Sequence, residues 1–221
     1  MNQKIKRTIL KIKENCKNCG GEGCHICSSR SNRIKKYSDA GIPSVFWDKT
    51  IKDFYGNKIF KENIKKYATD IDSWYDSGKS ILMVGSLGTG KSYMGSCCLK
   101  LAIVKGYSAM YINMMDIINN LLNEKGSTIL NDILNKDFVV IDEFDSRWIF
   151  PSERVEQIFS SNMEYIFRNR FQNGLPTIIC SNTAEIDDVI KGYHSKAFAS
   201  LKEKYADVIF VAGGDLRRKK C

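Results

Sequence analysis

The chain has 221 residues, of which 43% are hydrophobic, and its 34 Lys and Arg against 25 Asp and Glu give a net charge of +9. This length predicts one sizeable domain and a small module. No apolar run approaches the roughly 18 residues of a membrane span, and no signal-peptide core follows the N-terminus. We therefore expect a cytoplasmic protein that does not bind membranes.

The first 36 residues carry nearly all of the net charge. They contain ten Lys or Arg and two Glu, a net +8, which leaves about +1 for the other 185 residues. A basic module beside a near-neutral body indicates contact with a polyanion. The competing interpretation is a solvated tail.

Two closely spaced cysteine pairs, Cys16-x-x-Cys19 and Cys24-x-x-Cys27, lie in this module. Four thiolates at this spacing predict a closed structural Zn²⁺ site, and the glycines between the pairs allow the chain to reverse. The short loop leaves open that His25 replaces Cys24 or Cys27, or that two chains share a metal. The same four cysteines could also hold a [4Fe–4S] cluster or remain free thiols.

Residues 28–40 are polar and charged, and they are predicted to form a linker. An aromatic-rich stretch follows the turn at Pro43. Apolar residues between positions 64 and 75 recur at helical spacing, and Gly78 signals a helix end. We expect this part of the chain to pack on the main domain.

The strongest motif is Gly85-x-x-x-x-Gly90-Lys91-Ser92, which follows four apolar residues and fits a phosphate-binding loop between a strand and a helix. Glycines let the backbone approach a phosphate closely, and the N–H groups of the loop and of the helix start bind anions. In this pattern Lys91 reaches the β- and γ-phosphates and the Ser92 hydroxyl binds Mg²⁺. The residues expected to contact the nucleotide are Gly85, Ser86, Leu87, Gly88, Thr89, Gly90, Lys91 and Ser92.

Strands and helices alternate along the rest of the chain. We predict strands over residues 81–84, 108–113, 138–141, 177–180 and 208–211, and helices over 91–104, 114–122, 129–134, from 152 to the stop at 174–176, and 186–205. This order predicts an α/β fold, a parallel sheet with helices on both faces. Ligands of such sheets bind at the carboxyl ends of the strands.

Three polar residues directly follow predicted strands. Asp142 suits a Mg²⁺ contact beside Ser92, Glu143 can polarise an attacking water, and Asn182 can hydrogen-bond that water or the γ-phosphate. Together with Lys91 they predict ATP hydrolysis by positioning and charge neutralisation. A small-molecule kinase is disfavoured, because the chain shows no Arg-rich lid for a second substrate.

Five stretches carry a resemblance to a known group: Gly-Ile-Pro-x-x-Phe-Trp (41–47), the phosphate loop (85–92), Phe-Val-Val-Ile-Asp-Glu (138–143), Asn-Arg-Phe-Gln-Asn-Gly-Leu-Pro-Thr-Ile-Ile-x-Ser-Asn (169–182) and Gly-x-Asp-x-Arg (213–217). From about residue 37 to 218 the chain resembles the DnaC/DnaI-type helicase loaders and IstB-type ATPases of the AAA+ superfamily. The resemblance implies a basic zinc-binding module (1–36), a linker and packing segment (37–78) and a P-loop AAA+ ATPase domain without a C-terminal lid (79–221).

The resemblance also implies residue roles. Lys91 and Ser92 would be Walker A residues, Asp142 and Glu143 Walker B residues, Asn182 a polar sensor, and Arg217 would stand near the second sensor. The family completes its site with an arginine finger from a neighbouring subunit, but residues 199–204 contain no Arg. We therefore expect a homo-oligomer with weak hydrolysis, and the candidate replacements are Lys202, Lys204, Arg168 and Arg170.

A helicase loader would bind ATP, Mg²⁺, Zn²⁺, single-stranded DNA and a replicative helicase hexamer. The resemblance places the DNA contact in residues 114–135, with Arg147, Trp148 and Phe150 as a second, basic and aromatic candidate. The competing hypotheses are an IstB-like transposition ATPase and a nucleotide-gated binding adaptor with little hydrolysis.

Overall fold

The computed structural model describes residues 3–122, 126–144, 152–182 and 206–218. The chain forms two compact units, residues 1–48 and 49–221. Within the described ranges, none of the helices combines the length and the apolar character needed to cross a membrane.

The first unit contains helices α1 (Gln3–Glu14) and α2 (His25–Asp39) and a short 3-10 helix at Ser44–Phe46. The prediction of a linker over residues 28–40 is wrong, because α2 occupies nearly all of that segment. Cys27, Ser31 and Ile34 recur at helical spacing and bury one face of α2. The segment was predicted to be a linker because its many Lys, Arg and Ser residues outnumber these few buried positions.

The second unit is a five-stranded parallel sheet with helices on both faces, in the strand order β2-β3-β4-β1-β5. The predicted α/β fold is therefore confirmed. Its elements in chain order are α3 (Lys58–Ala68), α4 (Ile71–Ser77), β1 (Ser80–Val84), α5 (Lys91–Lys105), β2 (Ala109–Asn113), α6 (Met114–Leu121), α7 (Gly126–Asn135), β3 (Phe138–Asp142), α8 (Glu153–Gln172), β4 (Thr177–Ser181), β5 (Ala206–Phe210) and a 3-10 turn at Leu216–Arg218.

Local signals set most helix ends. Ser152 caps α8 by accepting a hydrogen bond from the Val155 N–H at 3.4 Å. The apolar pattern over residues 64–75 is divided between α3 and α4, because Asp70 caps a new helix by accepting from the Ser73 N–H. The helix predicted over residues 186–205 lies outside the described residues.

The central strands β1, β3 and β4 are buried on both faces of the sheet, as their continuous apolar character predicted. Val139 and Ile141 of β3 belong to a core cluster with α6, α7 and α8. Val140 points to the other face, where α5 lies close because its Gly95 has no side chain: a Cβ there would lie 3.4 Å from both Val140 methyls. Asp142 shares that face by the two-residue period of a strand.

Arg170 is fully buried on α8 and binds the ends of several elements together. Its guanidinium donates to Thr177 Oγ1 at 2.8 Å and to backbone carbonyls of Ile133, Lys136, Asp137 and Pro176 at 2.6 to 3.3 Å. Burial lowers its pKa to about 10. The expectation that Arg170 could replace the arginine finger is wrong, because every part of its guanidinium is engaged inside the core.

Replacing this buried guanidinium should destabilise the fold. Arg170→Met removes the charge and takes the guanidinium donors away from Thr177 Oγ1 and four backbone carbonyls, so we expect the free energy of unfolding to fall by about 3 kcal/mol or more. Urea unfolding measures the change.

Arg168 gives the matched control two residues earlier on the same helix. Its exposed guanidinium pairs with Glu164 at 2.7 Å in an i,i+4 arrangement, so Arg168→Met should change stability by less than about 0.5 kcal/mol. Equal losses in the two variants would contradict a structural role specific to Arg170.

Candidate nucleotide site and cysteine cluster

The loop of residues 85–92 connects β1 to α5 at the carboxyl edge of the sheet, and two of its glycines are required by their surroundings. Gly90 caps α5 in the left-handed region (φ 97°), and a Cβ there would lie 2.4 Å from the Phe54 ring. Gly88 has φ 80°, and a Cβ there would lie 2.1 Å from Asp215 Oδ1. A side chain at either position would therefore disturb the loop.

Lys91 is 4% exposed, and its ammonium group lies inside the loop. It donates to the carbonyls of Gly85 and Ser86, both at 2.8 Å, and to Thr89 Oγ1 at 3.3 Å. Ser86 and Leu87 are exposed, whereas Thr89 is buried. The buried cation thus neighbours the backbone that the sequence motif assigns to phosphate binding.

The end of β3 presents two carboxylates in different environments. Asp142 is 6% exposed, whereas Glu143 is exposed and has a positive φ of 55°. The next residue, Phe144, is buried and donates its N–H to the Cys180 carbonyl at 2.9 Å. Partial burial raises the pKa of Glu143, and the nearby charges of Asp142 and Asp116 add to the rise. Such a φ costs energy outside glycine and is often found at functional sites.

Tyr111, which sequence reasoning did not single out, contacts one of the predicted Mg²⁺ ligands. Its phenolic O–H donates to Asp142 Oδ2, and the Ser92 side chain lies nearby. Burial, followed by the charge of Asp142, raises the pKa of Tyr111 far above its ordinary value, so the phenol stays protonated. A tyrosine in a half-buried strand is too common to have signalled this contact.

The parallel register brings Asn182 to the same edge. Val84 of β1 pairs with Ser181 of β4, and the Gly85 N–H donates to the Ser181 carbonyl at 3.3 Å. Asn182 follows directly and is half-buried. The structure therefore places Lys91, Asp142 and Asn182 at the ends of adjacent strands, as expected from the sequence.

Asp215, of the same Gly-x-Asp-x-Arg motif, connects Arg217 to the phosphate loop. The exposed Arg217 guanidinium donates to both carboxylate oxygens of Asp215, at 2.9 and 2.8 Å. Asp215 contacts Gly88, and the Leu216 N–H donates to the Gly88 carbonyl at 3.0 Å. Sequence reasoning named Arg217 but gave no role to Asp215, which makes the contact with the loop.

Several predicted residues lie outside the described parts of the chain. These are residues 199–204, with Lys202 and Lys204, and the basic and aromatic group Arg147, Trp148 and Phe150. Of the two arginines named on α8, Arg168 is the one with an exposed side chain.

The four cysteines of the first unit converge on one point. The Cys16 and Cys24 sulfurs are 3.7 Å apart, the Cys19 and Cys27 sulfurs are 3.9 Å apart, and all four lie within 4.8 Å of one another. Three glycines in the connecting loop, Gly20, Gly21 and Gly23, have positive φ. This conformation provides the reversal that the sequence predicted.

The sulfur geometry suits a tetrahedral metal site. A tetrahedral ion with Zn–S bonds of about 2.3 Å requires sulfurs about 3.8 Å apart, which the Cys16–Cys24 and Cys19–Cys27 distances match. All four cysteines are free of disulfides, and the ligand group in one chain is complete without His25. A hydrogen bond from the Cys27 backbone lowers the pKa of Cys24 to about 6, which favours a thiolate.

Comparisons with solved structures identify the fold. The DnaC helicase loader is 17% identical, with a TM-score of 0.62 over 77% of this chain and 100% of that chain. DnaI is 16% identical, with a TM-score of 0.62 over 78% and 93%. Replication initiator DnaA, solved with AMPPCP and single-stranded DNA, is 17% identical, with a TM-score of 0.59 over 78% of this chain and 51% of DnaA.

These similarities confirm the P-loop AAA+ fold expected from the sequence and the structural likeness to DnaC and DnaI. A comparison with curated protein sequences gives no significant match. The sequence model of the family described as IstB-like ATP binding protein matches residues 49–162, just over half of the chain. The chain therefore belongs to the family of IstB-like ATP-binding proteins.

Proposed function

We propose that this protein is an ATP-dependent DNA replication accessory protein of the helicase-loader type. The observation that carries the proposal is the convergence of the Lys91 loop, Asp142 and Asn182 at one edge of the sheet. The fold that contains this edge covers 100% of the solved chain of the DnaC loader. Membership of an ATP-binding family supports ATP as the nucleotide.

The residues at this edge suit ATP and Mg²⁺. Backbone N–H groups of the loop would hold the phosphates, and Lys91 would exchange the Gly85 and Ser86 carbonyls for phosphate oxygens. Ser92 and Asp142 offer the oxygen ligands that Mg²⁺ prefers, and the ion would neutralise charge on the phosphates. Glu143 would polarise the attacking water, and Asn182 would orient it.

Hydrolysis is expected to depend on a neighbouring subunit and to be weak. Of the named arginine-finger candidates that the structure describes, Arg170 is buried and Arg168 is exposed. Lys202 and Lys204 remain candidates, but an ammonium group cannot repeat the planar fork of a guanidinium. We therefore propose a homo-oligomer in which Arg168 or one of these lysines faces the next ATP.

The first unit is proposed to hold Zn²⁺ and to contact the partners. Its buried residues include Ile5, Cys27, Ile34 and Tyr37, a small core that a structural metal would reinforce. The ten Lys and Arg of this region are all exposed, on α1, α2 and the loop between them. Such a surface suits DNA phosphates or an acidic face of a helicase hexamer.

Two substitutions should separate ATP binding from hydrolysis. Lys91→Ala should abolish ATP binding, because the loop loses its cation. Glu143→Gln should keep ATP binding and lower turnover about 100-fold, because it removes the base.

The wild-type rate of ATP hydrolysis should fall as the pH is lowered, because Glu143 becomes protonated. The midpoint of this fall should lie above the ordinary glutamate pKa of about 4.3, since the pKa of Glu143 is raised. Nucleotide-binding fluorescence and phosphate release measure these effects.

Controls come from exposed ion pairs. Lys105→Ala, at the other end of α5, loses only a pair with Asp72, and Glu62→Gln loses only a pair with Lys65. Both controls should bind and hydrolyse ATP like the wild type. Unchanged ATP affinity in Lys91→Ala would contradict the assignment of residues 85–92 as a phosphate-binding loop. Unchanged turnover in Glu143→Gln would contradict the role of Glu143 as the base.

Metal analysis of protein purified without chelator should find about one Zn²⁺ per chain. Cys16→Ser should lose the metal, and chelation should reduce the helical signal of the first unit. Cys97→Ser, which alters a buried thiol of α5, should keep the metal. Iron instead of zinc, or no metal in the wild type, would contradict the zinc site.

Co-purification with the host helicase and transposases, with and without ATP, tests the proposed function. We expect an ATP-dependent complex with the helicase that also retains single-stranded DNA. Lys91→Ala should lose the complex, and the triple variant K4E/R7E/K11E should weaken DNA retention and its salt dependence. The matched control K52E/K58E/K66E changes three exposed lysines of the second unit and should retain DNA.

The family match favours a second candidate, an IstB-like ATPase that delivers a transposase to DNA. Capture of a transposase instead of the helicase would favour it. A third candidate, an adaptor gated by nucleotide, would show ATP-dependent capture with no hydrolysis.

A further inference from the structure

Tyr111 lies beside one of the two side chains that we assign to Mg²⁺. It pairs with Val140 across β2 and β3, so its side chain shares a sheet face with Asp142, two residues further along β3. Its phenol donates to Asp142 Oδ2, and Ser92, on the first turn of α5, lies nearby. Gly95, one turn further on, allows α5 to approach β3 closely.

The phenolic hydrogen bond fixes one oxygen of Asp142. A phenol has one proton, and Tyr111 gives it to Asp142 Oδ2. The second oxygen of the carboxylate keeps its lone pairs for a cation. A single side chain therefore sets the orientation of this ligand.

We propose that Tyr111 is a positioning residue for the divalent cation of the ATP site, an inference that rests on the proposed function. Tyr111 acts through Asp142, its hydrogen-bond partner. Groups that hold metal ligands in orientation typically contribute 10–100-fold to metal affinity. Removing the phenolic oxygen should therefore affect cation binding while the phosphate loop remains intact.

The test is the substitution Tyr111→Phe, with binding of the fluorescent analogue mant-ATP measured against Mg²⁺ concentration and in EDTA. Mg²⁺ should increase the affinity for mant-ATP. In Tyr111→Phe, we expect half of this increase to require about 10-fold more Mg²⁺ than in the wild type. The affinity of the variant for mant-ATP in EDTA should change less than about twofold. The readout is nucleotide binding, so it does not depend on turnover.

Tyr75→Phe is the matched control. Tyr75 donates to Asp137 at 3.2 Å, so it forms the same kind of pair at the opposite end of β3. This variant should keep the wild-type Mg²⁺ requirement, and urea unfolding verifies that both variants are folded.

An unchanged Mg²⁺ requirement in Tyr111→Phe, or an equal rise in both variants, would overturn the role of Tyr111 and leave the proposed function standing. A wild-type protein that does not bind mant-ATP would defeat both the role of Tyr111 and the proposed ATP site. The two failures are therefore distinguishable.

Discussion

The parallel register of the sheet brings Lys91, Asp142 and Asn182 to one edge. β1 is flanked by β4 and β5, and its last residue, Val84, is level with Ser181 and Phe210. Parallel strands end at one edge, so the residues that follow them share one environment. A one-residue shift of β3 would turn Asp142 away from α5 and toward the core cluster on the other face. The chemistry of the edge thus depends on backbone pairing inside the sheet.

Arg170 and Lys91 are both buried cations that hydrogen-bond to backbone carbonyls, but the two contacts have different roles. Arg170 and Lys91 both donate to backbone carbonyls, because a buried charge needs such partners. Arg170 joins the end of α7 to the start of β4, where its planar fork fits several fixed carbonyls. Lys91 lies in a glycine-rich loop at the opposite edge, and a single ammonium group can exchange loop carbonyls for phosphates. The first contact stabilises the fold, and the second suits a ligand.

The first unit, residues 1–48, has a small apolar core and a highly charged surface. Two helices bury few apolar side chains, and small cores rarely stabilise a fold by themselves. The four converging thiols provide a place for a metal to supply the missing free energy. Because little of α1 and α2 is needed for packing, most of their surface is left for Lys and Arg.

Local patterns in the sequence were enough to predict the phosphate loop, the order of strands and helices, the cluster of four cysteines and the positions of Asp142 and Asn182 at the ends of their strands. Apolar runs, glycine spacing and capping residues carry that information. These patterns could not distinguish Arg168 from Arg170 on α8, because only the packing of α8 shows which guanidinium is buried. They also missed α2, whose few buried positions are outnumbered by charged ones. The contacts of Tyr111 and Asp215 depend on tertiary structure, since they join residues 31 or more positions apart in the chain through β-sheet register and a returning C-terminal turn.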